Sequence, residues 1–464
     1  MLFLFEPDRP IESSEFDHLG RALFACSLGE AIMSYYQTES VVLALYGPWG
    51  SGKTSLINIA IEHILDFSSK WEKSKQPIVM RFNPWMFSNQ NQLITQFFRQ
   101  LKATLGKADT AQLSKEVGET IEDYASFFEP LKYVPSLGTQ LAGRIAIPVG
   151  RGLGGFLKKR GERKAADLEA SKKDLHKILR GFERKLIIII DDIDRLNKEE
   201  IRQIFQLVKS IADFPNIIYW LAFDKEVVLK ALEDVQGNGL DYLEKIVQVP
   251  VEIPPIDPAE LEKLLVNRLN VVLENLPKER FDSNYWGNLY LSCIRYFFNN
   301  MRDVNRYINT FRFNYGLIQE EVNVVDLLAI TAIQVFLPDT YSEIQEHKEI
   351  FAGVFGSWDG AKNKKEEATN ECNRILESIT YPPVRAVKEM LIRIFPKLET
   401  IYNNIYHGYD GLSSLRRDRR ICSLIPSIYI LGCQFQLESC LNETWSLYYS
   451  KSPTRVNSRK PCFH

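Results

Sequence analysis

The residues with the clearest chemical potential are Gly47-Pro48-Trp49-Gly50-Ser51-Gly52-Lys53-Thr54, which fit the spacing G-x-x-x-x-G-K-[ST] at every fixed position. A di- or triphosphate must be enclosed by backbone N–H groups. Glycines let the chain curl closely around its oxygens, and a helix that follows points its positive end at them. Lys53 then supplies a point charge for the β and γ phosphates, and Thr54 a hydroxyl of the kind that holds Mg²⁺, with Ser55 next in line as a nucleotide contact. The natural ligand of such a loop is ATP with Mg²⁺. Further along, Leu186 to Ile190 run straight into Asp191-Asp192-Ile193-Asp194-Arg195. Asp191 is the expected Mg²⁺ residue, acting through water, and Asp192 the group that orients or deprotonates the attacking water. Two carboxylates so close repel each other without a cation, and Mg²⁺ supplies one.

Four further residues are candidates on weaker grounds. Arg195 has the charge to sense a phosphate in cis or in trans, and an ion pair with Asp194 or Glu199 is its plainer role. Asp224, after the apolar run Ile217 to Phe223, stands where a sensor would, although its charge repels a γ-phosphate unless Mg²⁺ or Lys225 screens it. Arg302 and Arg306 lie four apart on one helix face, both able to reach a nucleotide, with a surface pair to Asp303 as the plainer alternative.

These side chains need strands that deliver them to one edge. Val41 to Tyr46 is a short apolar run before the loop, and a helical pattern over Ser55 to Phe67 follows it. Pro77 to Phe82, Leu186 to Ile190, Ile217 to Phe223 and Ile246 to Val251 complete five strands separated by helical patterns. The expected fold is α/β, a doubly wound parallel sheet. A strand between the loop helix and the Asp191-Asp192 strand predicts the order 5-1-4-3-2. Trp85, at the end of the predicted edge strand, is assigned to packing or an interface. Asn197 and Glu200 have capping-box spacing, with Leu196 and Ile201 in staple positions, predicting a helix to about Ile211.

Beyond 255 the pattern is helical: Leu261 to Leu276, Leu289 to Asn299, Val304 to Asn314, Val325 to Phe336, and later helices to about Tyr449. The expected organisation is a P-loop domain over 1–255 with an insertion at 106–185, a helical lid over 256–345, and a C-terminal helical region over 346–464. Lys158 to Lys185 reads as a solvated helix, with Lys158, Lys159 and Arg160 available to anionic headgroups or nucleic acid. Ser357 to Arg374 reads as a polar loop and Ser452 to His464 as an unstructured tail.

Composition bounds these readings. The 464 residues carry 57 basic and 59 acidic side chains, a formal charge of −2, with 45% hydrophobic and 25% charged residues. This excludes whole-chain disorder and gives no support to a nucleic-acid-coating protein. Seven cysteines without a C-x-x-C pair point to a reducing compartment. Met1 to Phe5 is apolar, but Glu6, Asp8 and Arg9 follow, so no signal peptide is expected. Arg144, Pro148 and Arg151 interrupt Leu131 to Leu157, which argues against a span and leaves room for a peripheral membrane contact. The expected location is cytoplasmic, with that contact as the route to a membrane.

Several phrases in order resemble the KAP family of P-loop NTPases, a group related to the STAND and AAA-like ATPases. They are Asp17-His18-Leu19-Gly20-Arg21, the loop with Trp49 inside it, Phe82-Asn83-Pro84-Trp85, Asp191 to Arg195, Phe223-Asp224-Lys225-Glu226-Val227-Val228, Tyr242 to Ile246 and Arg302-Asp303-Val304-Asn305-Arg306. Arg420-Ile421-Cys422-Ser423 looks like the family's late motif. The resemblance implies an ATP-dependent switch, in a family that includes plasmid phage-exclusion proteins and animal membrane scaffolds. Leu19, Gly20 and Arg21 are either base contacts, by this resemblance, or a helix start packed on the core. The function expected is an ATPase switch in a bacterial defence or signalling complex, as a homo-oligomer, with a partner effector protein, or both. A nucleotide-bound scaffold with little turnover and a nucleic-acid-dependent ATPase are the alternatives.

Overall fold

A computed structural model describes residues 5–88, 93–108, 111–128, 155–236, 239–353, 361–406 and 409–423. The chain divides into two compact units between Asp257 and Pro258, and the residues up to Asp8 belong with those after Pro258.

In the unit Arg9–Asp257, β1 (Val41–Tyr46), β2 (Ile78–Phe82), β3 (Leu186–Ile190), β4 (Ile217–Phe223) and β5 (Val249–Glu252) form a parallel sheet in the order β2-β3-β4-β1-β5. This is the predicted order, 5-1-4-3-2, counted from the other edge. Every residue of β3 and β4 is buried, as befits central strands with helices on both faces, and this is why both read as unbroken apolar runs. Alternate residues go to opposite faces. Leu43, Leu45, Ile187, Ile189 and Trp220 pack with α1 (Ala22–Met33) and α2 (Lys53–Ser68). Ala44, Phe82, Ile188, Ile190 and Phe223 face the core that includes α3 (Leu93–Ala108), α4 (Ala111–Ser126) and α5 (Gly155–Arg180). The edge strand β5 starts later than predicted, because the Ile246 and Val247 N–H groups both donate to the Leu243 carbonyl, at 3.0 and 2.9 Å, and finish the preceding helix instead.

The capping box at Asn197 is complete: its side chain accepts the Glu200 N–H at 3.0 Å and Glu200 accepts the Asn197 N–H at 3.2 Å. It opens α6 (Lys198–Gln206), which continues as a π-turn over Leu207–Ile211. Asn197→Ala is expected to cost about 1 kcal/mol, seen as a lower urea midpoint at unchanged slope. The helices α7 (Lys225–Gln236) and α8 (Gly239–Glu244) close this unit before β5.

The other unit is helical: α9 (Pro258–Val272), α10 (Ser283–Ser292), α11 (Met301–Ile318), α12 (Val324–Phe336), α13 (Pro338–Glu346), α14 (Lys348–Phe351), α15 (Ala361–Glu377), α16 (Val384–Ile394), α17 (Pro396–Asn403) and α18 (Tyr409–Arg417). Residues 5–8 are strapped to it. The Glu6 N–H donates to Asn309 Oδ1 at 2.9 Å while Asn309 Nδ2 donates to the Glu6 carbonyl at 2.8 Å. The Glu6 carboxylate pairs with Arg268 and Arg312, and the Asp8 carboxylate with Arg302. The helix α12 is buried almost throughout and carries one acid, Asp326, fully buried. Tyr285 Oη donates to it at 2.7 Å, Arg420 Nε at 2.7 Å and the Ile421 N–H at 2.8 Å.

One expectation is overturned here. Residues 361–374, expected as part of a polar loop over Ser357 to Arg374, belong to the helix α15. Its composition is polar, but Ala368, Cys372, Ile375 and Leu376 recur at helical spacing and are buried, and that stripe is enough to dock it. The predicted helix Leu289–Asn299 is also broken: α10 ends at Ser292 and a 3₁₀ turn covers Ile294–Phe297. Leu131 to Gly154, the side chains of Lys158, Lys159 and Arg160, the helices expected beyond 423 and the tail from Ser452 lie outside the described residues. Among the described residues no single helix is long and apolar enough to cross a membrane.

Candidate functional site

The loop Gly47–Thr54 leaves β1 and folds back on itself. The Gly47 N–H donates to the Phe223 carbonyl of the neighbouring β4 at 3.3 Å, and the Ser51 N–H to the Pro48 carbonyl at 3.1 Å. Gly50 and Gly52 have φ of +84° and +90°, a backbone region that favours glycine. At Gly47 the constraint is space: a Cβ there would lie 2.5 Å from Ser51 Oγ and 3.0 Å from Ile253 Cδ1. Ser51 Oγ is buried with no hydrogen-bond partner, a polar atom left open inside the cradle. Trp49 points outward, 68% exposed.

Lys53 and Thr54 open α2. Lys53 Nζ donates to the Gly47 carbonyl at 2.8 Å and the Pro48 carbonyl at 3.4 Å, and it forms an ion pair with Asp194 Oδ2 at 3.5 Å. Thr54 Oγ1 donates to Asp191 Oδ2 at 2.7 Å. Ser55 Oγ accepts the Ile11 N–H at 3.2 Å, so its hydroxyl holds the N-terminal segment against the helix.

At the end of β3, Asp191 Oδ1 accepts the Asp192 N–H at 2.8 Å. Burial pushes the Asp191 carboxyl up and the Asp192 charge adds to this, against the pull of the Thr54 hydroxyl, the Asp192 amide and the Lys53 ammonium. Asp192 is left-handed, φ +60°, unusual for a residue with a side chain. Its two oxygens have separate partners: Oδ2 accepts Asn83 Nδ2 at 2.8 Å, and Oδ1 pairs with Arg195 Nε at 2.8 Å. The Arg195 guanidinium lies 5.0 Å from the centroid of the Trp85 ring.

Several assignments change with these contacts. Arg195 pairs with Asp192, not with Asp194 or Glu199, because the 3₁₀ turn Ile193–Arg195 brings it back over the strand end. Trp85 is half exposed and sits beside the site through Arg195. Asp224 turns its carboxylate to the Glu226 N–H at 3.0 Å, in the first turn of α7, while its own N–H donates to Asp194 Oδ2 at 3.1 Å. Within the helical unit, Arg302 pairs with Asp8 and Arg306 donates to the Val335 carbonyl at 3.1 Å; at the start of α11 the Asp303 carboxylate instead accepts the Asn299 N–H at 3.0 Å, and the Asp303 N–H donates to Asn300 Oδ1 at 3.1 Å.

Three residues escape a reading of the sequence as a string. Asn83 matters because β2 lies beside β3 and brings it to Asp192, and Asp194 because the turn after β3 carries it to Lys53 and to the end of β4. The signal for Asp194 is a third carboxylate three positions after Asp191. Arg21, left between base contact and core packing, is buried and donates to the Ser51 and Pro254 carbonyls, propping the loop from behind. Its motif partner Asp17 accepts the Leu19 and Ala22 N–H groups at 3.0 and 2.6 Å, capping α1.

The set suits a magnesium nucleotide. The Thr54 hydroxyl and the Asp191 carboxylate are a pair of hard oxygen donors, and the loop holds a buried hydroxyl, Ser51 Oγ, with no partner of its own.

The chain is 25% identical over 382 residues to the phage T7 exclusion protein of Escherichia coli (strain K12), an alignment covering 78% of this chain and 50% of that one, so it spans about half the length of this curated relative. Among solved structures, the Aeropyrum pernix ORC2 protein in ADPNP-ADP complexes is 10% identical with a TM-score of 0.35, covering 84% of this chain and 87% of that one. Cdc6p from Pyrobaculum aerophilum is 10% identical with a TM-score of 0.36, covering 89% of each chain. Residues 21–318, more than half of the chain and including every loop and strand-end residue above except Asp17, match the KAP family P-loop domain, and the protein belongs to that family.

Proposed function

We propose that this chain binds ATP with Mg²⁺ in the loop Gly47–Thr54, hydrolyses it, and uses the bound state as a switch in a bacterial defence or signalling complex. The observation that carries the reading is the contact of the Thr54 hydroxyl with the Asp191 carboxylate at 2.7 Å, beside a loop whose Ser51 hydroxyl is buried without a hydrogen-bond partner. Thr54 and Asp191 would hold Mg²⁺, which when bound neutralises phosphate charge. The loop N–H groups bind the β-phosphate, and Lys53 exchanges the Gly47 and Pro48 carbonyls for phosphate oxygens. Asp192 orients the attacking water and takes its proton, with Asn83 and Arg195 fixing the direction of its oxygens. Arg21 keeps the loop from collapsing by tying the Ser51 carbonyl.

The defence setting is supported by the likeness to a phage exclusion protein, and residues 131–157 are kept as the segment for a membrane contact. Assembly with a second copy or an effector protein belongs to the same reading. A scaffold with little basal turnover is favoured by one feature: Lys53 and Asp192 are both fully engaged by protein groups. The test is steady-state phosphate release from ATP over a range of protein concentrations, with Mg²⁺ and with EDTA. Mg²⁺-dependent turnover supports the enzyme. Nucleotide binding without turnover at any concentration would replace it with the scaffold.

A further inference from the structure

No two of the three carboxylates of the turn after β3 share a side-chain partner among these contacts. Asp191 takes the Thr54 hydroxyl, Asp192 takes Asn83 and Arg195, and Asp194 takes Lys53. The last contact is enclosed: the Lys53 and Asp194 side chains are 9% and 10% exposed, so water screens their attraction poorly. With the Gly47 and Pro48 carbonyls, Asp194 completes an acceptor for each of the three ammonium protons. The same Asp194 oxygen also receives the Asp224 N–H at 3.1 Å, at the point where β4 turns into α7.

The geometry points to Asp194 as an internal anion that occupies Lys53 in place of phosphate and ties that occupancy to the start of α7. This rests on the loop being the ATP site. A β-phosphate that draws the ammonium away leaves Asp194 with the Asp224 N–H as its remaining contact of these two. Filling of the loop is thereby transmitted to the β4–α7 junction, and by linkage whatever stabilises the Lys53–Asp194 pair weakens nucleotide binding to the same degree. Asp194 is thus a positioning residue with an unusual sign. A residue that merely supports the loop would weaken binding when removed, whereas removing a competitor tightens it.

The experiment is calorimetric titration of ATP, ADP and AMP into the wild-type chain, Asp194→Asn and Asp194→Ser, with thermal melting of each. Both substitutions keep an oxygen for the Asp224 N–H, so either suffices if the other fails to fold. The expected result is a Kd for ATP and ADP about three- to tenfold lower than wild type. A Kd equal to or above wild type in a variant that melts normally would overturn the proposal. So would an equal gain for AMP, which has no β-phosphate to draw Lys53 away. Absence of ATP and ADP binding by the wild type would instead remove the nucleotide reading, and the proposal with it.

Discussion

Asp192→Asn is expected to lower kcat for ATP about a hundred- to ten-thousandfold, with KM changed only a few-fold. Asparagine keeps the shape and an acceptor for Asn83, so the turn survives, but it cannot take a proton from water. The nearby carboxylate Asp191 does not replace it, because in the proposed site it would hold Mg²⁺ together with Thr54. Lys53→Ala should behave differently, losing nucleotide affinity along with turnover, since its ammonium meets the phosphates in the ground state as well as the transition state. Single-turnover phosphate release beside equilibrium ATP binding separates the two. Equal losses of binding in both variants would count against the role given to Asp192.

The second large effect is on stability. Arg420→Ala is expected to cost about 3–5 kcal/mol, read from urea unfolding at neutral pH, because it strips the cation from a fully buried Asp326. Arg420 also donates to the Tyr285 hydroxyl and the Arg393 carbonyl, both at 2.7 Å, so α10, α12 and α16 all meet at this one side chain. Burial, reinforced by the Asp326 charge, drives the Tyr285 hydroxyl pKa far up, so it stays a neutral donor. Replacing both charged partners, Asp326→Leu with Arg420→Met, is expected to recover part of the loss, since no unpaired charge remains although the Ile421 N–H and the Tyr285 hydroxyl lose Asp326 as acceptor. A double variant no more stable than Arg420→Ala would show that packing, not the ion pair, dominates.

Much of the fold is legible in the sequence because its strands are short apolar runs bounded by turn residues, and because an extra strand before Asp191-Asp192 restricts the sheet to one order. The loop is legible for a similar reason, since its glycines and Lys53 answer to a local geometry that eight residues determine alone. What is not legible depends on neighbours across the sheet. Arg195 has acidic residues on both sides in sequence, and only the 3₁₀ turn decides that it meets Asp192. Arg21 reads as a helix start until β5 and the loop converge on it. The helix α15 hides for a different reason: four buried side chains in a seventeen-residue polar segment are too few to move its average composition, yet they all share one face.

The strap of residues 5–8 has a consequence for how the helical unit can be inherited or moved. Because Glu6 pairs with Arg268 and Arg312 and Asp8 with Arg302, that unit is written in the gene as two separated pieces with the whole nucleotide unit inserted between them. A cassette beginning at Pro258 would carry those arginines without the Glu6 and Asp8 carboxylates. Recombination that exchanges the helical unit between relatives must therefore carry the codons for residues 5–8 as well.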